Sequence, residues 1–345
     1  MIFVPVEMLM SDRQALRSEW LKSIAPQYGL KLDSEEVASA DASFRHYYRL
    51  QGDKGKSYIV MDAPPEQESI ESFVKVTHLF ESAHLNVPTI YEENAQHGFL
   101  LLKDLGKNTY LDVLNEDNAR EFFEKAIDAL IQWQLISKPG VLPEYDRAVL
   151  SREINLFPEW YISVHRKMTL DDRQTALMKM CFERILKNNL AQEKVFVHRD
   201  YMPRNLMATS ENVPGILDYQ DALYGPIAYD IASLMRDAFI SWGEVFVIDM
   251  TIRYWEKARK AGLPVPADFG LFWRDVEWMG IQRHLKVLGI FARINYRDGK
   301  PKYLADTPRF IGYVRETANR YDELKPLLYL MDQIENSVPK FGYTF

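Results

Sequence analysis

Two short apolar runs, the first leading into His-x-Asp and the second ending in an aspartate, constrain this chain more than any other feature. The first is Val195-Phe196-Val197, followed at once by His198-Arg199-Asp200-Tyr201-Met202-Pro203-Arg204-Asn205. The second is Gly215-Ile216-Leu217-Asp218-Tyr219-Gln220-Asp221. Brief apolar, β-branched runs between polar and turn-forming residues read as buried strands. Leu206-Met207 reads as another short strand and Asn212-Val213-Pro214-Gly215 as a turn. The acidic and amide groups then sit at strand ends, where a hairpin brings them together.

An Asp, an Asn five residues on and a second Asp at the end of the following hairpin are the parts of a phosphoryl-transfer site. In that reading Asp200 accepts the proton of the attacking hydroxyl. Asn205 and Asp218 hold the Mg²⁺ that neutralises the phosphates of ATP. Little covalent chemistry is asked of the protein, so positioned oxygens and metal do most of it. A bare His-x-Asp-x-x-x-x-Asn also arises by chance, and turn or capping residues would satisfy the same letters. The flanking strands favour the chemical reading. His198 is expected to pack under the loop rather than to react.

A chain of 345 residues, 47% hydrophobic and 26% charged, can bury a large core, here expected in two lobes. Its 49 acidic and 42 basic residues leave a net charge of −7, which argues against a nucleic-acid-binding surface. Cys181 is the only cysteine, so neither an intrachain disulfide nor a cysteine zinc site is expected. The first ten residues lack a basic start and do not read as a signal peptide. Apolar runs such as Phe99 to Leu102 are too short to span a membrane. The expected compartment is the cytoplasm, and the expected state a monomer.

Along the chain, Ser11-x-x-Gln14 reads as a capping box for a helix stopped by Pro26 and Gly29. Glu36 to Ala40, Phe44 to Leu50 and Ser57 to Asp62 read as strands, the last two joined by Gly52-Asp53-Lys54-Gly55. Ile70 to Phe80 suits an amphipathic helix. Val87 to Ile90 and Gly98 to Leu102 read as two more strands. Helices are expected over 117–136, 150–164, 175–190, 229–239, 244–261, 274–293 and 307–336. Strands first and helices second make an α+β, bilobal plan: a small antiparallel-sheet lobe over 1–102 and a larger helical lobe over 103–345.

These motifs resemble the aminoglycoside phosphotransferase and choline kinase group, which shares the protein-kinase-like fold. His198-Arg199-Asp200 through Asn205, with Pro203, resembles its catalytic loop, and Leu217-Asp218-Tyr219 its metal-binding segment. Gly225-Pro226-Ile227-Ala228-Tyr229-Asp230-Ile231-Ala232 is similar to a segment whose aspartate, here Asp230, buttresses the loop. Gly98 through Gly106 resembles the hinge that holds adenine, which implies nucleotide contacts at Leu102, Lys103 and Asp104. Asp41-Ala42-Ser43-Phe44-Arg45-x-Tyr47-Tyr48-Arg49, Val60 to Pro65, Phe157 to Tyr161 and Asp218 to Pro226 resemble one bacterial branch more closely. That branch phosphorylates the C1 hydroxyl of the cell-wall amino sugars N-acetylmuramate and N-acetylglucosamine. The resemblance thus implies ATP and an amino sugar as partners, in peptidoglycan recycling. An aminoglycoside, an amino alcohol or a protein hydroxyl as acceptor, or a non-catalytic nucleotide-binding regulator, are the rival readings.

Two departures stand out. No glycine-rich loop covers the phosphates, so Ser43 and Phe44 are the candidates there, through backbone N–H groups. Met61 stands near the position where kinases carry a phosphate-gripping lysine. Arg45 and Arg49 are the nearest replacements, or else solvated charges on an exposed hairpin. The acidic partner of the grip is Glu68 or Glu71. For the acceptor, Arg204, Asp221, Trp160 and Tyr161 are candidates. Each has a plainer alternative: loop bracing for Arg204, turn capping for Asp221, core packing for the two aromatics.

Overall fold

The computed structural model describes residues 6–40, 45–210 and 213–335. The chain divides into two compact units, residues 1–109 with 205–221, and residues 110–204 with 222–345. The expected division after Leu102 follows the order of the chain. Packing instead groups 205–221 with the sheet, because the short hairpin there pairs with its own unit: Ile216 N donates to Asn86 O at 2.8 Å and Ala208 N to Asn108 O at 2.9 Å.

The first unit opens with α1 (Val6–Tyr28), which passes through Ser11 and Pro26. Ser11 is therefore not a helix cap. The helix ends before Gly29, whose φ of +64° suits a residue without Cβ. Five strands follow: β1 (Lys31–Ala40), β2 (His46–Gln51), β3 (Ser57–Asp62), β4 (Ile90–Asn94) and β5 (Phe99–Lys103), with α2 (Glu71–Ser82) between β3 and β4. Among the described residues they form an antiparallel sheet in the order β1-β2-β3-β5-β4. Leu21, Leu30, Leu50, Tyr58, Val60 and Leu101 form its apolar core under α1. Asp62 anchors α1 to the sheet. It is buried and paired with Arg13 and, at 2.9 Å, with Arg17. The expected strand over Val87 to Ile90 begins only at Ile90, and Leu206–Met207 (β7) pairs with Gly215–Ile216 (β8), Leu206 opposite Ile216.

The second unit is mostly helical: α3 (Tyr110–Val113), α4 (Ala119–Leu135), α5 (Arg147–Ile154), α6 (Asp172–Leu190), α7 (Tyr229–Met235), α8 (Glu244–Ala261), α9 (Phe269–Asp298), α10 (Thr307–Arg320) and α11 (Lys325–Ile334). Its two-stranded sheet pairs β6 (Lys194–Val197) with β9 (Leu223–Pro226). The helix expected over 150–164 is in fact two elements. α5 stops at Ile154, and Phe157–His165 is a π-helix, with Pro158 in its first turn. The last expected helix likewise breaks at Tyr321, which is extended, before Pro326 restarts it. The core gathers on α9, whose Leu285, Leu288 and Ala292 are fully buried. Gly289 lets α9 approach the link after α5, since a Cβ there would meet Leu156 C at 2.3 Å.

Candidate active site

The loop after β6 carries the candidate base and belongs to the helical unit. β6 ends at Val197 and the chain turns at once. Arg199 takes a left-handed backbone conformation, φ +78°, which costs a residue with a Cβ and persists only where the surroundings hold it. Two buried carboxylates do so. Asp230, in the first turn of α7, accepts the backbone N–H of His198 at 2.7 Å and of Arg199 at 3.0 Å. Glu153 of α5 accepts the Arg199 guanidinium at 2.5 Å and the Lys286 ammonium of α9 at 3.0 Å.

Burial pushes Asp230 up to about 7, against the two N–H bonds that favour its charged form. Glu153 moves the other way. Burial opposes its charge, but Lys286 and Arg199 outweigh burial and hold it near 2. His198 packs under the loop, fully buried, and the Asp200 N–H reaches its Nδ1 at 3.3 Å. The Tyr201 hydroxyl donates to Ala126 O at 2.7 Å and ties the loop to α4.

The chain enters the sheet-bearing unit at Asn205. There the hairpin of β7 and β8 sets the two candidate metal ligands side by side. Leu217 N donates to Asn205 O at 2.9 Å, and Asn205 Nδ2 lies 3.4 Å from Asp218 Oδ2. Asp218 has a left-handed φ of +62°. Its Oδ1 accepts from Gln220 Nε2 at 2.8 Å. Tyr219 fastens the same segment to α2. Its ring stacks on Phe73 at 5.2 Å between centroids, and its hydroxyl lies 2.8 Å from Thr77 Oγ1.

Among the described residues no group of three or more His, Cys, Asp or Glu is placed to hold a metal. Asn205 and Asp218 nevertheless fit magnesium, a hard cation usually bound by one or two protein oxygens with phosphate and water supplying the rest.

The nucleotide candidates separate. Ser43 and Phe44 lie outside the described residues. Arg45 is buried and ion-paired with Glu68, which precedes α2. Arg49 is committed elsewhere: its Nε and Nη2 meet the Asp104 carboxylate at 2.6 and 3.0 Å, and Nη2 also meets Gly106 O at 2.7 Å. Burial resists the charge on Asp104, but the Arg49 bond and the Gly106 N–H hold it below the usual carboxylate range. Arg49 and Asp104 thus clamp the end of β5. Leu102 is buried, paired across the sheet with Ile59 and Ile90. Lys103 Nζ lies 3.3 Å from Asn86 Oδ1. Met61 is fully buried, paired with Tyr47 and Leu100, so no cation stands at that strand position.

Of the acceptor candidates, the Arg204 guanidinium lies 5.0 Å from the Phe239 ring centroid, and Asp221 is exposed. Trp160 packs partly buried against the helical core. Tyr161 is a correction. The π turn sets it inside that core, stacked on Phe157 at 5.4 Å, with its hydroxyl on Glu335 Oε1 at 3.0 Å. No ring face is left there for a sugar. Sequence reasoning missed Gln220, Glu153 and Lys286. Gln220 stood within a motif and could have been found. Glu153 and Lys286 meet across 133 residues, and no local pattern announces that pair.

Residues 34–269 match the model of the phosphotransferase enzyme family. The chain is 50% identical over 299 residues to the N-acetylmuramate/N-acetylglucosamine kinase of Pseudomonas putida, which covers 87% of this chain and 88% of that one. It is 46% identical over 339 residues to the protein of the same name from Neisseria meningitidis, covering 97% and 100%. The solved choline kinase LicA from Streptococcus pneumoniae superposes with a TM-score of 0.62 at 13% identity, over 87% of this chain and 98% of that one. At that identity the likeness concerns the fold. By the family match and by these relatives, the chain belongs to the phosphotransferase enzyme family and groups with its N-acetylmuramate/N-acetylglucosamine kinases.

Proposed function

We propose that this protein is an ATP-dependent kinase that phosphorylates the anomeric C1 hydroxyl of N-acetylmuramate and N-acetylglucosamine, returning cell-wall sugars to biosynthesis. The observation that carries this reading is 46–50% identity to proteins of that name over nearly the whole chain. Asp200, Asn205 and Asp218 supply the chemistry that such a transfer needs.

Asp200 takes the proton of the attacking hydroxyl, which makes the oxygen a better nucleophile as the bond to phosphorus forms. Asn205 and Asp218 would hold magnesium, which when bound offsets the negative charge of the phosphate oxygens. Gln220 orients the Asp218 carboxylate. Arg45, with Glu68 as its acidic partner, takes the place of the absent strand lysine. The hinge at Leu102 to Asp104 borders the adenine, and residues 1–102 serve as the nucleotide lobe. Arg204, Asp221 and Trp160 border the sugar. ATP and a free sugar suffice as partners, in the cytoplasm, without nucleic acid or membrane.

The test is a substrate panel of N-acetylmuramate, N-acetylglucosamine, glucose, choline and kanamycin with MgATP. The expected result is phosphorylation of both N-acetyl sugars with loss of the reducing end. A product that still reduces copper would move the phosphate away from C1, and turnover of kanamycin or choline in preference to the sugars would overturn the acceptor.

A further inference from the structure

Beneath the candidate base, α5, α9 and the loop after β6 bury a group of charges that the phosphotransferase chemistry does not itself require. Glu153, Lys286 and Arg199 meet there, Glu153 and Lys286 being 5% and 7% exposed. Every Glu153 oxygen is used. Oε1 takes Arg199 and Lys286, and Oε2 takes the Tyr145 hydroxyl and, at 3.4 Å, Gln282 Nε2. Lys286 also reaches the Tyr229 hydroxyl at 3.2 Å. Gly225 keeps Tyr145 close, since a Cβ there would lie 2.4 Å from the tyrosine Cβ.

Buried charges are costly unless balanced. Glu153 carries one negative charge against the two positive charges of Arg199 and Lys286. Both cations also interact with the Asp200 carboxylate. With the Asp200 side chain, the group sets two acidic residues, Glu153 and Asp200, against two basic ones, Arg199 and Lys286. Asp200 also meets His198 below the loop, through its backbone N–H, and interacts with Asp230 of α7, whose charge is itself disfavoured by burial.

We infer that Lys286 and Glu153 are positioning residues for phosphoryl transfer: they hold the Arg199 side chain so that the strained turn before Asp200 is fixed, and they leave one positive charge that interacts with the Asp200 carboxylate. This rests on the reading of Asp200 as the base. Removing Lys286 leaves Glu153 paired with Arg199 and Tyr145, so the triad loses charge without leaving an unpaired carboxylate. Removing Glu153 would leave two cations side by side, and is the poorer test.

The experiment uses the full chain with MgATP and N-acetylglucosamine, and compares Lys286→Met, Lys286→Arg and Arg199→Gln across pH. Lys286→Met should lower kcat about tenfold with the KM for ATP within about twofold. The acid limb of its kcat profile should rise by about one pH unit, the scale for losing a nearby opposite charge. Lys286→Arg should return the limb to the wild-type position, and Arg199→Gln should shift it in the same direction as Lys286→Met. A merely structural role would lower the melting temperature of Lys286→Met and Lys286→Arg alike and leave the limb in place. A folded Lys286→Met or Arg199→Gln enzyme with the wild-type limb and kcat overturns the inference. Asp200→Asn, measured beside them, separates the two failures: full turnover in that variant removes the base assignment itself.

Discussion

Asp230 and His198 are joined by a 2.7 Å bond from the His198 backbone N–H to a fully buried carboxylate, and the neighbouring Arg199 N–H shares that carboxylate at 3.0 Å. The loop that carries Asp200 is thus held through its main chain from α7. Asp230→Asn turns one acceptor into a donor facing an N–H, and should cost about 1–3 kcal/mol of stability. Burial raises the folded-state pKa of Asp230 to about 7, above its unfolded value. The folded protein therefore binds the extra proton between roughly pH 4 and 7, and the stability it brings is lost as pH rises through that window. Urea unfolding should show a larger gap between wild type and Asp230→Asn at pH 5 than at pH 8. A gap that does not narrow would remove the buried-carboxyl account.

Asp200→Asn keeps the shape of the side chain and removes its basicity. Turnover should fall by about 10²–10⁴-fold, the usual range for a lost general base. Nucleotide affinity, measured by titration with a non-hydrolysable ATP analogue, should stay close to wild type.

Asp218→Ala should abolish turnover and weaken Mg²⁺-dependent nucleotide binding, and Asn205→Ala should do the same more mildly. Gln220→Ala removes the 2.8 Å bond that orients Asp218 and should raise the magnesium concentration needed for half-maximal activity. Calorimetry with and without Mg²⁺ checks all three. Unchanged Mg²⁺-dependent affinity in Asp218→Ala would cancel the metal assignment.

The two arginines should part in kinetics as they do in packing. Arg45→Ala should raise the KM for ATP about tenfold or more, and Glu68→Gln should follow it. Arg49→Ala breaks the clamp on Asp104 and Gly106, so it should mainly lower the melting temperature. If Arg49→Ala alone raised the KM for ATP, the roles would be exchanged.

Local sequence sufficed for much of this protein. The hairpin of β7 and β8 was readable because short apolar runs, a turn signal and polar strand ends lie within sixteen residues, from Leu206 to Asp221. The helix over 244–261 was readable from its periodicity alone. The order of strands and helices implied two lobes, and the motifs pointed to phosphoryl transfer. What stayed hidden depended on partners far along the chain or on helix geometry that periodicity does not encode. Trp160 and Tyr161 fall within an apolar stretch that suits an α-helix, but a π turn decides which aromatic is buried. Arg45 and Arg49 are the same residue type on one strand approach. Only the positions of Glu68 and Asp104 give them different partners. Glu153, Arg199 and Lys286 carry no shared motif, and their charges meet because α5, α9 and the loop after β6 pack together. Sequence by itself determined which chemistry the chain can perform, since that depends on residue types at short spacing. Tertiary structure decided which side chains hold that chemistry in place, because burial and long-range pairing set the energy of a charge.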